Sequence, residues 1–424
     1  MKQEIKERIK LINKGIVPAG YKKTPVGICP VEWEENTLKN IFIFKNGLNK
    51  EKSAFGKGTP IINYTDVWGK RGLKLKDVKG KVTLNKNEIE NYSAKKGDVF
   101  FTRTSETINE IGLTSVLLED IKDCVFSGFV LRGRPISNLI VNEYNQYCYS
   151  LDFMRNEITK KSSYTTRALT NGELLSQVLI NLPTKSEQQK IAEILDCATR
   201  QVELQEQLVD KLKVQKKALM QKLLAPQPDW QKLKLKNIIN FYNGYSFKSE
   251  TYVKNGAFYV ITISNVKDDG FILQEDTSTI EKIPTDIRDY QILRKGDILI
   301  SMTGNVGRVC KVECDNCLLN QRVGKIEVKK EFDKNFIFYS LQSYSFVEKM
   351  KLLAQGAAQD NMSVKDINNY IIYLPKNKEI QSNISNLLSN IDKRIELQQK
   401  LLEQYKLRQK SLMQLLLTGI VRVC

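Results

Sequence analysis

The stretches IAEILDCATRQVELQEQLVDKLKVQKKALMQKLL (191–224) and ISNLLSNIDKRIELQQKLLEQYKLRQKSLMQLLL (384–417) superimpose without a gap at an offset of 193 residues. At that offset Ile191, Leu195, Ala198, Val202, Val209, Leu212, Leu219 and Leu223 meet Ile384, Leu388, Ile391, Ile395, Leu402, Tyr405, Leu412 and Leu416. The apolar positions step by four and three, the heptad pattern of a helix that buries one seam against a partner. The polar interruption is repeated too, with Gln205 matching Gln398.

The sequence upstream of each helix is duplicated as well. Trp33 with TLKNIFIFKNGL matches Trp230 with KLKLKNIINFYNGY. PIINYTDV (60–67) matches YVITISNV (259–266), and KKGDVFFTRTS (95–105) matches RKGDILISMTG (294–304). Tyr149-Ser150-Leu151 matches Tyr339-Ser340-Leu341, after which ALTNGELLSQVLINLP and DNMSVKDINNYIIYLP run into the two helices. Pro183 and Pro375 stand just before the helix starts, where proline suits a boundary. Short apolar or alternating runs broken by Gly-Asp, Asn-Gly and Asp-Asn turns make each repeated region a strand-rich α+β domain. Lys96-Gly97-Asp98 and Lys295-Gly296-Asp297 read as turns that feed buried strands.

The order is therefore domain, helix, domain, helix, with expected boundaries at 1–184, 185–225, 226–376 and 377–424. A helix of about 40 residues is about 60 Å long. The linker Ala225-Pro226-Gln227-Pro228-Asp229 is short, and the second domain delivers the second helix almost at once. An antiparallel pair lets that domain keep its entry and exit at one end. The expectation is an antiparallel coiled-coil pair between two similar domains, a pseudo-two-fold dumbbell whose termini nearly meet. Gln205 and Gln398 share a slot in the seam (Ile191, Leu195, Val202, Val209, Leu212; Ile384, Leu388, Ile395, Leu402, Tyr405), where a buried polar pair would fix register at some cost in stability. Leu204, Leu208, Leu397 and Leu401 widen the apolar surface beyond that seam, which suggests that further helices pack there.

Composition narrows the function. The formal charge of +18 over 424 residues, with pI near 9.3, points to an anionic partner such as nucleic acid. No stretch approaches the ~18 apolar residues of a membrane span, and the charged start MKQEIKERIKLINKG lacks the apolar centre of a signal peptide. The expected compartment is the cytoplasm, where eight cysteines would stay reduced. Cys310, Cys314 and Cys317 lack the fourth ligand and second CxxC that zinc requires, and the segment reads instead as two strands joined by a turn at Asp315-Asn316. The chain contains no histidine, which excludes Ser–His and Cys–His pairs and removes the commonest general base. There is no NPPY motif, no GxGxxG fingerprint and no Walker A motif. Asp297 followed by Glu327-Val328-Lys329 imitates the acid–ExK set of metal-dependent nucleases, but the matching strand near Val130-Leu131-Arg132 has no acid.

A basic, internally two-fold chain suits duplex DNA, itself nearly two-fold symmetric, with lysine and arginine on phosphates and loop side chains at base edges. The stretches LPTKSEQQKIAEILDCATRQVELQEQLVDKLKVQKKALMQKLL, IYLPKNKEIQSNISNLLSNIDKRIELQQKLLEQYKLRQKSLMQLLLTG, GYKKTPVGICPVEWEENTLKNI and QGAAQDNMSVKDI resemble the specificity subunit of Type I restriction-modification enzymes, over essentially the whole chain. That resemblance implies two target recognition domains and two spacer helices on which two modification subunits dock. The complex it implies methylates adenine with S-adenosylmethionine. With restriction subunits it cuts DNA using ATP and Mg²⁺; none of that chemistry would belong to this chain. The contrasting possibility is a coiled-coil scaffold whose basic domains bind RNA or acidic proteins.

The expected DNA-reading residues lie in loops, because strands are needed for the cores. In the first domain they are Thr102, Arg103, Thr104 and Ser105, with Lys160, Lys161, Ser163, Tyr164, Thr166 and Arg167. In the second they are Thr303, Gly304, Asn305, Arg308, Asn320, Gln321 and Arg322, with Gln355, Gly356, Gln359 and Asn361. Arginine can bond guanine bidentately, asparagine and glutamine can bond adenine, and glycine permits close backbone approach. SMTGNVGR in one domain stands where TRTSETINEIG stands in the other, so the two half-sites should differ. Lengthening a helix between Val202 and Leu212 should change the spacer between half-sites and leave the half-sites alone.

Overall fold

The computed structural model describes residues 3–164, 166–267, 270–271, 277–355 and 361–423. It forms two compact units, Met1–Gln205 with Leu401–Cys424, and Glu206–Lys400. The unit boundaries fall inside the two long helices, Lys185–Leu223 and Lys378–Leu417, so each unit holds one end of each helix. Both helices begin at a polar cap. The Glu187 N–H donates to Thr184 Oγ1 (3.4 Å) and the Glu379 N–H to Asn377 Oδ1 (2.8 Å), which satisfies amides that have no partner within the helix.

In the first unit the central sheet runs in the order 42–46, 130–135, 99–102, 114–117, 72–73. Val99–Thr102 is buried at all four positions, as a continuous apolar run demands of a central strand. The turn before it forms as the sequence reads. The Lys95 N–H donates to Asp98 Oδ2 (2.8 Å), the Asp98 N–H donates to the Lys95 carbonyl (3.0 Å), and Gly97 sits at φ +88°. A second sheet orders 125–126, 55–62 and 80–82, and a small third one orders 163–164, 168–169 and 104–105. The main core joins Trp33, Leu38, Phe101 and Tyr149 to Ile191 and Leu195 of the first helix and to Met413, Leu416 and Leu417 of the second. Each fully buried aliphatic side chain there stabilises the fold by about 1.5–3 kcal/mol.

The second unit repeats this plan. One sheet orders 239–243, 323–328, 298–301 and 309–311; another orders 252–253, 279–280, 258–261, 317–319 and 292–293. Its turn is the same, with the Arg294 N–H on Asp297 Oδ2 (2.9 Å), the Asp297 N–H on the Arg294 carbonyl (3.0 Å) and Gly296 at φ +86°. Leu388 is fully buried in the main core, with Leu219, Leu223 and Ile384 packed against it. Val309–Lys311 and Cys317–Leu319 are the two expected strands, flanking a turn with Asn316 at φ +58°, and they do not pair with each other. The first pairs with Ile298–Ser301 and the second with Phe258–Ile261, so the turn carries the chain from one sheet to the other. Cys314 and Cys317 are free thiols with their sulfurs 3.1 Å apart.

Within each unit the helix segments are antiparallel. In the first, Glu187 meets Arg422 and Thr199 meets Gln409 (2.8 Å), so rising numbers face falling ones. In the second, Lys216 pairs with Asp392 (2.7 Å), and Leu212 clusters with Ile391 and Ile395. Gln205 is buried and Gln398 half-buried, whereas Leu204 and Leu397 are exposed. The two ends of the chain meet in the first unit, where Arg8 Nη1 donates to the Ile420 carbonyl (2.5 Å) and Tyr21 Oη to the Gly419 carbonyl (2.6 Å). No helix among the described residues is long and apolar enough to cross a membrane.

The joint between domain and helix is built twice. Gln188, buried, donates to the carbonyls of Pro183 (3.0 Å) and Leu139 (2.9 Å) and accepts from the Val141 N–H (2.8 Å). Gln381, also buried, donates to the Pro375 carbonyl (2.7 Å) and accepts from the Asp333 N–H (2.9 Å). Tyr147 Oη donates to Asp196 Oδ1 (2.6 Å) and lies 3.2 Å from Thr199 Oγ1; Tyr339 Oη donates to Asp392 Oδ2 (2.8 Å) and meets the Ser389 hydroxyl. Burial first, and the neighbouring carboxylate second, raises the Tyr147 phenol above its ordinary range.

Candidate nucleic-acid interface

In the first unit the structure brings together the two segments that the sequence nominates separately. Thr104–Ser105 pairs with Ala168–Leu169, which pairs with Ser163–Tyr164, so both loops share one small sheet. Lys160, Ser163, Tyr164, Thr166 and Arg167 are exposed, while Lys161, Arg103 and Thr104 are half-exposed. Arg103 Nη1 donates to the Gly128 carbonyl (3.4 Å), which holds its guanidinium beside the sheet end.

Thr102 and Ser105 are corrections. Thr102 is fully buried, its Oγ1 donating to the Glu110 carbonyl (2.8 Å) and accepting from the Leu113 N–H (2.9 Å). Ser105 is buried and donates to Glu110 Oε2 (3.0 Å). Both hydroxyls fold the 106–112 loop and leave no donor for a ligand. The second unit has the same device at Ser301, which donates to the Asn305 carbonyl and accepts from the Arg308 N–H (3.1 Å).

In the second unit Thr303, half-buried, forms an isolated antiparallel bridge with exposed Asn361. Gly304 (φ +66°) and Asn305 are exposed at the loop tip, Arg308 is half-buried, and Gln355 is exposed at the end of the helix Tyr344–Gln355. Gln321 and Arg322 are exposed. Asn320 is a correction, being buried with Oδ1 accepting from the Arg322 N–H (3.2 Å) and its side chain also bonded to Tyr252. It shapes the turn that presents Arg322. Gly356 and Gln359 lie outside the described residues.

The sequence reading missed Phe129, which is 65 % exposed and whose carbonyl accepts from the Arg103 N–H (3.1 Å). The available signal was positional, because CVFSGFVL occupies the place of CLLNQRVG in the other half.

The nuclease-like set is spent on structure. Asp297 Oδ2 accepts from Lys325 Nζ (2.6 Å), and Lys329 Nζ donates to the carbonyls of Lys236 (3.3 Å) and Asn237 (3.1 Å). Glu327 Oε2 accepts from Asn240 (3.2 Å) and Tyr242 (2.9 Å), and these bonds hold its carboxyl below the usual range. In the first unit Asp98 plays the Asp297 part, gripped by Arg134 through two bonds of 2.8 and 2.6 Å. No cluster of three or more His, Cys, Asp or Glu that could hold a metal occurs among the described residues.

Comparison with known proteins agrees with the duplication. The Type I restriction modification DNA specificity domain matches twice, over residues 30–214 and 227–407. The type I restriction enzyme MjaVIII specificity subunit of Methanocaldococcus jannaschii is 28 % identical over 298 residues, covering 65 % of this chain and 69 % of that one. The MjaX specificity subunit of the same organism is 26 % identical over 433 residues, covering 95 % and 97 %. The structure of a Type-I restriction-modification system S subunit from M. genitalium shares the fold, with a TM-score of 0.56 at 16 % identity over 91 % of this chain and 96 % of that one.

Proposed function

The chain belongs to the family of type I restriction-modification specificity subunits, with two target recognition domains, and on that premise we propose that it reads a split, asymmetric DNA target, one domain to each half. The observation that carries this reading is the pair of outward loop sets, built on one backbone plan with different side chains. Arg103, Thr104, Tyr164 and Arg167 stand on one; Asn305, Gln321, Arg322 and Asn361 stand on the other. Duplicated scaffolds with unlike reading edges suit a target whose halves differ in sequence. The net charge of +18 supplies the phosphate attraction that any such complex needs.

The long helices would dock two modification subunits. Val214 and Leu407, equivalent at the offset of 193, are both exposed (69 % and 65 %), as are Leu204 and Leu397. Two like apolar positions on two like helices suit two copies of one partner. Adenine methylation with S-adenosylmethionine, and ATP- and Mg²⁺-dependent cleavage with restriction subunits, would be the work of those partners, and this chain would be non-catalytic. Selection of duplexes from a random pool by the assembled complex tests the reading. Enrichment of two short fixed blocks separated by a fixed number of free bases is expected; a single continuous block, or none, would overturn it.

A further inference from the structure

Resting on that DNA reading, we propose that Phe129 is a specificity-determining residue of the first domain, reading the 5-methyl group of a thymine. In the first unit Leu48 bridges Ser127, the Gly128 N–H donates to the Leu48 carbonyl (2.7 Å), and the Val130 N–H donates to the Ser127 carbonyl (3.1 Å). In the second, Tyr245 bridges Asn320, the Gln321 N–H donates to the Tyr245 carbonyl (2.9 Å), and the Val323 N–H donates to the Asn320 carbonyl (2.9 Å). A glycine precedes each bridge, and a side chain at either Gly47 or Gly244 would place its Cβ 2.0 Å from the Ser127 or Asn320 oxygen. The slot closes alike, through Arg103 N–H on the Phe129 carbonyl (3.1 Å) and Met302 N–H on the Arg322 carbonyl (3.0 Å). Phe129 and Arg322 therefore occupy one and the same place in two copies of a fold.

What stands in that place differs in kind. Arg322 is exposed, with a guanidinium suited to the O6 and N7 acceptors of guanine. Phe129 is 65 % exposed and has no polar atom to offer. A single exposed apolar side chain is ordinary on a protein surface, so exposure alone decides nothing. The slot decides, because its counterpart is a candidate base reader and because the backbone of half-exposed Arg103 is bonded to that of Phe129. The counterpart of Arg103 is Met302, which is buried. Each edge thus carries one arginine and one apolar residue, on exchanged strands. In the major groove the apolar feature that distinguishes one base from the others is the thymine methyl, and a phenyl ring in a reading slot matches it.

The test uses the full chain assembled with its modification subunits. Once the split target is selected, each thymine of either half is replaced singly by uracil, which removes only the methyl. One replacement, in one half-site, should weaken wild-type binding about fourfold, the worth of burying one methyl group. Phe129→Ala should bind the thymine and uracil duplexes equally, while keeping its thermal midpoint and its preference at the other half-site. Phe129→Leu should retain part of the discrimination. A target whose thymines can all become uracil without loss, or a Phe129→Ala protein that still discriminates, would overturn the inference and leave the DNA reading intact. Failure to select any split target would overturn both.

Discussion

At the root of each long helix a buried glutamine bonds to the carbonyl of a preceding proline and to the N–H of a nearby loop, Gln188 to Pro183 and Val141, Gln381 to Pro375 and Asp333. At the ends of interior strands of each sheet the backbone bonds are again repeated, but Arg103 and Phe129 stand where Met302 and Arg322 stand in the other unit. The joint keeps its glutamine, proline and tyrosine because the glutamine is buried and bonded at both ends of its amide, so a change there leaves an unpaired polar group. The strand end keeps only its backbone, because glycine at 47 and 244 and the strand-end bonds fix the slot whatever side chain fills it. A duplicated protein can therefore vary what it reads without altering what holds the reader.

The comparison breaks most sharply where only one unit carries the feature. Glu187 is buried and gripped by Arg422 through bonds of 2.6 and 3.0 Å, with Trp33 Nε1 adding a third (3.0 Å). The equivalent of Glu187 in the second helix is Ile380, which is exposed. Arg422→Ala should cost about 3 kcal/mol by leaving a buried carboxylate unpaired, whereas Glu187→Ile with Arg422→Ile together should cost much less. Denaturant melts of both proteins check this. Next come the joints, where Gln188→Ala and Gln381→Ala should each cost about 2 kcal/mol through stranded backbone groups. Gln188, which makes the further bond to the Leu139 carbonyl, should lose somewhat more in the melts, and a loss confined to one joint would show that the two are not energetic copies.

Smaller in free energy, but aimed at the other side of the comparison, is Arg322→Ala. It should lose about 1.5 kcal/mol of discrimination at one base pair of one half-site, read by competition with single-base variants. Uniform weakening across all sequences would make Arg322 a phosphate contact. A comparable effect concerns Lys311, whose ammonium is pulled down to about 8 by burial first and by Lys334 second. Its Nζ lies 4.2 Å from the centre of the Phe338 ring and donates to Asn335 (2.7 Å). The matching strand position in the first unit is Val116. The unfolded lysine holds its proton to about 10.4, so between pH 8 and that value the unfolded state binds more protons and stability rises with pH. Thermal melts from pH 8 to 9.5 should show that rise in the native chain and not in Lys311→Val.

Much of this was legible in the residues. The heptads gave continuous helices, and antiparallel pairing within each unit followed from short linkers. Lys96-Gly97-Asp98 and Lys295-Gly296-Asp297 formed the turns their glycines require. Local signals failed where tertiary pairing decides. Val309–Lys311 and Cys317–Leu319 look like a hairpin, yet partners distant in sequence, Ile298–Ser301 and Phe258–Ile261, outcompete the local one. Thr102, Ser105 and Asn320 have the chemistry of readers, but their hydroxyls and amide are spent inward on the loops they shape. Phe129 escaped because a phenylalanine between apolar runs reads as core, and only its alignment with Arg322 gives it another meaning.

The central claim is that one chain reads two different half-sites with two copies of one fold. Methylation mapping in cells carrying the intact system, with wild-type chain and with Arg322→Ala, tests it most directly. The account predicts a split, asymmetric motif in the wild type and loss of one base in a single half in the variant. A continuous or palindromic motif, or degeneracy in both halves at once, would contradict it.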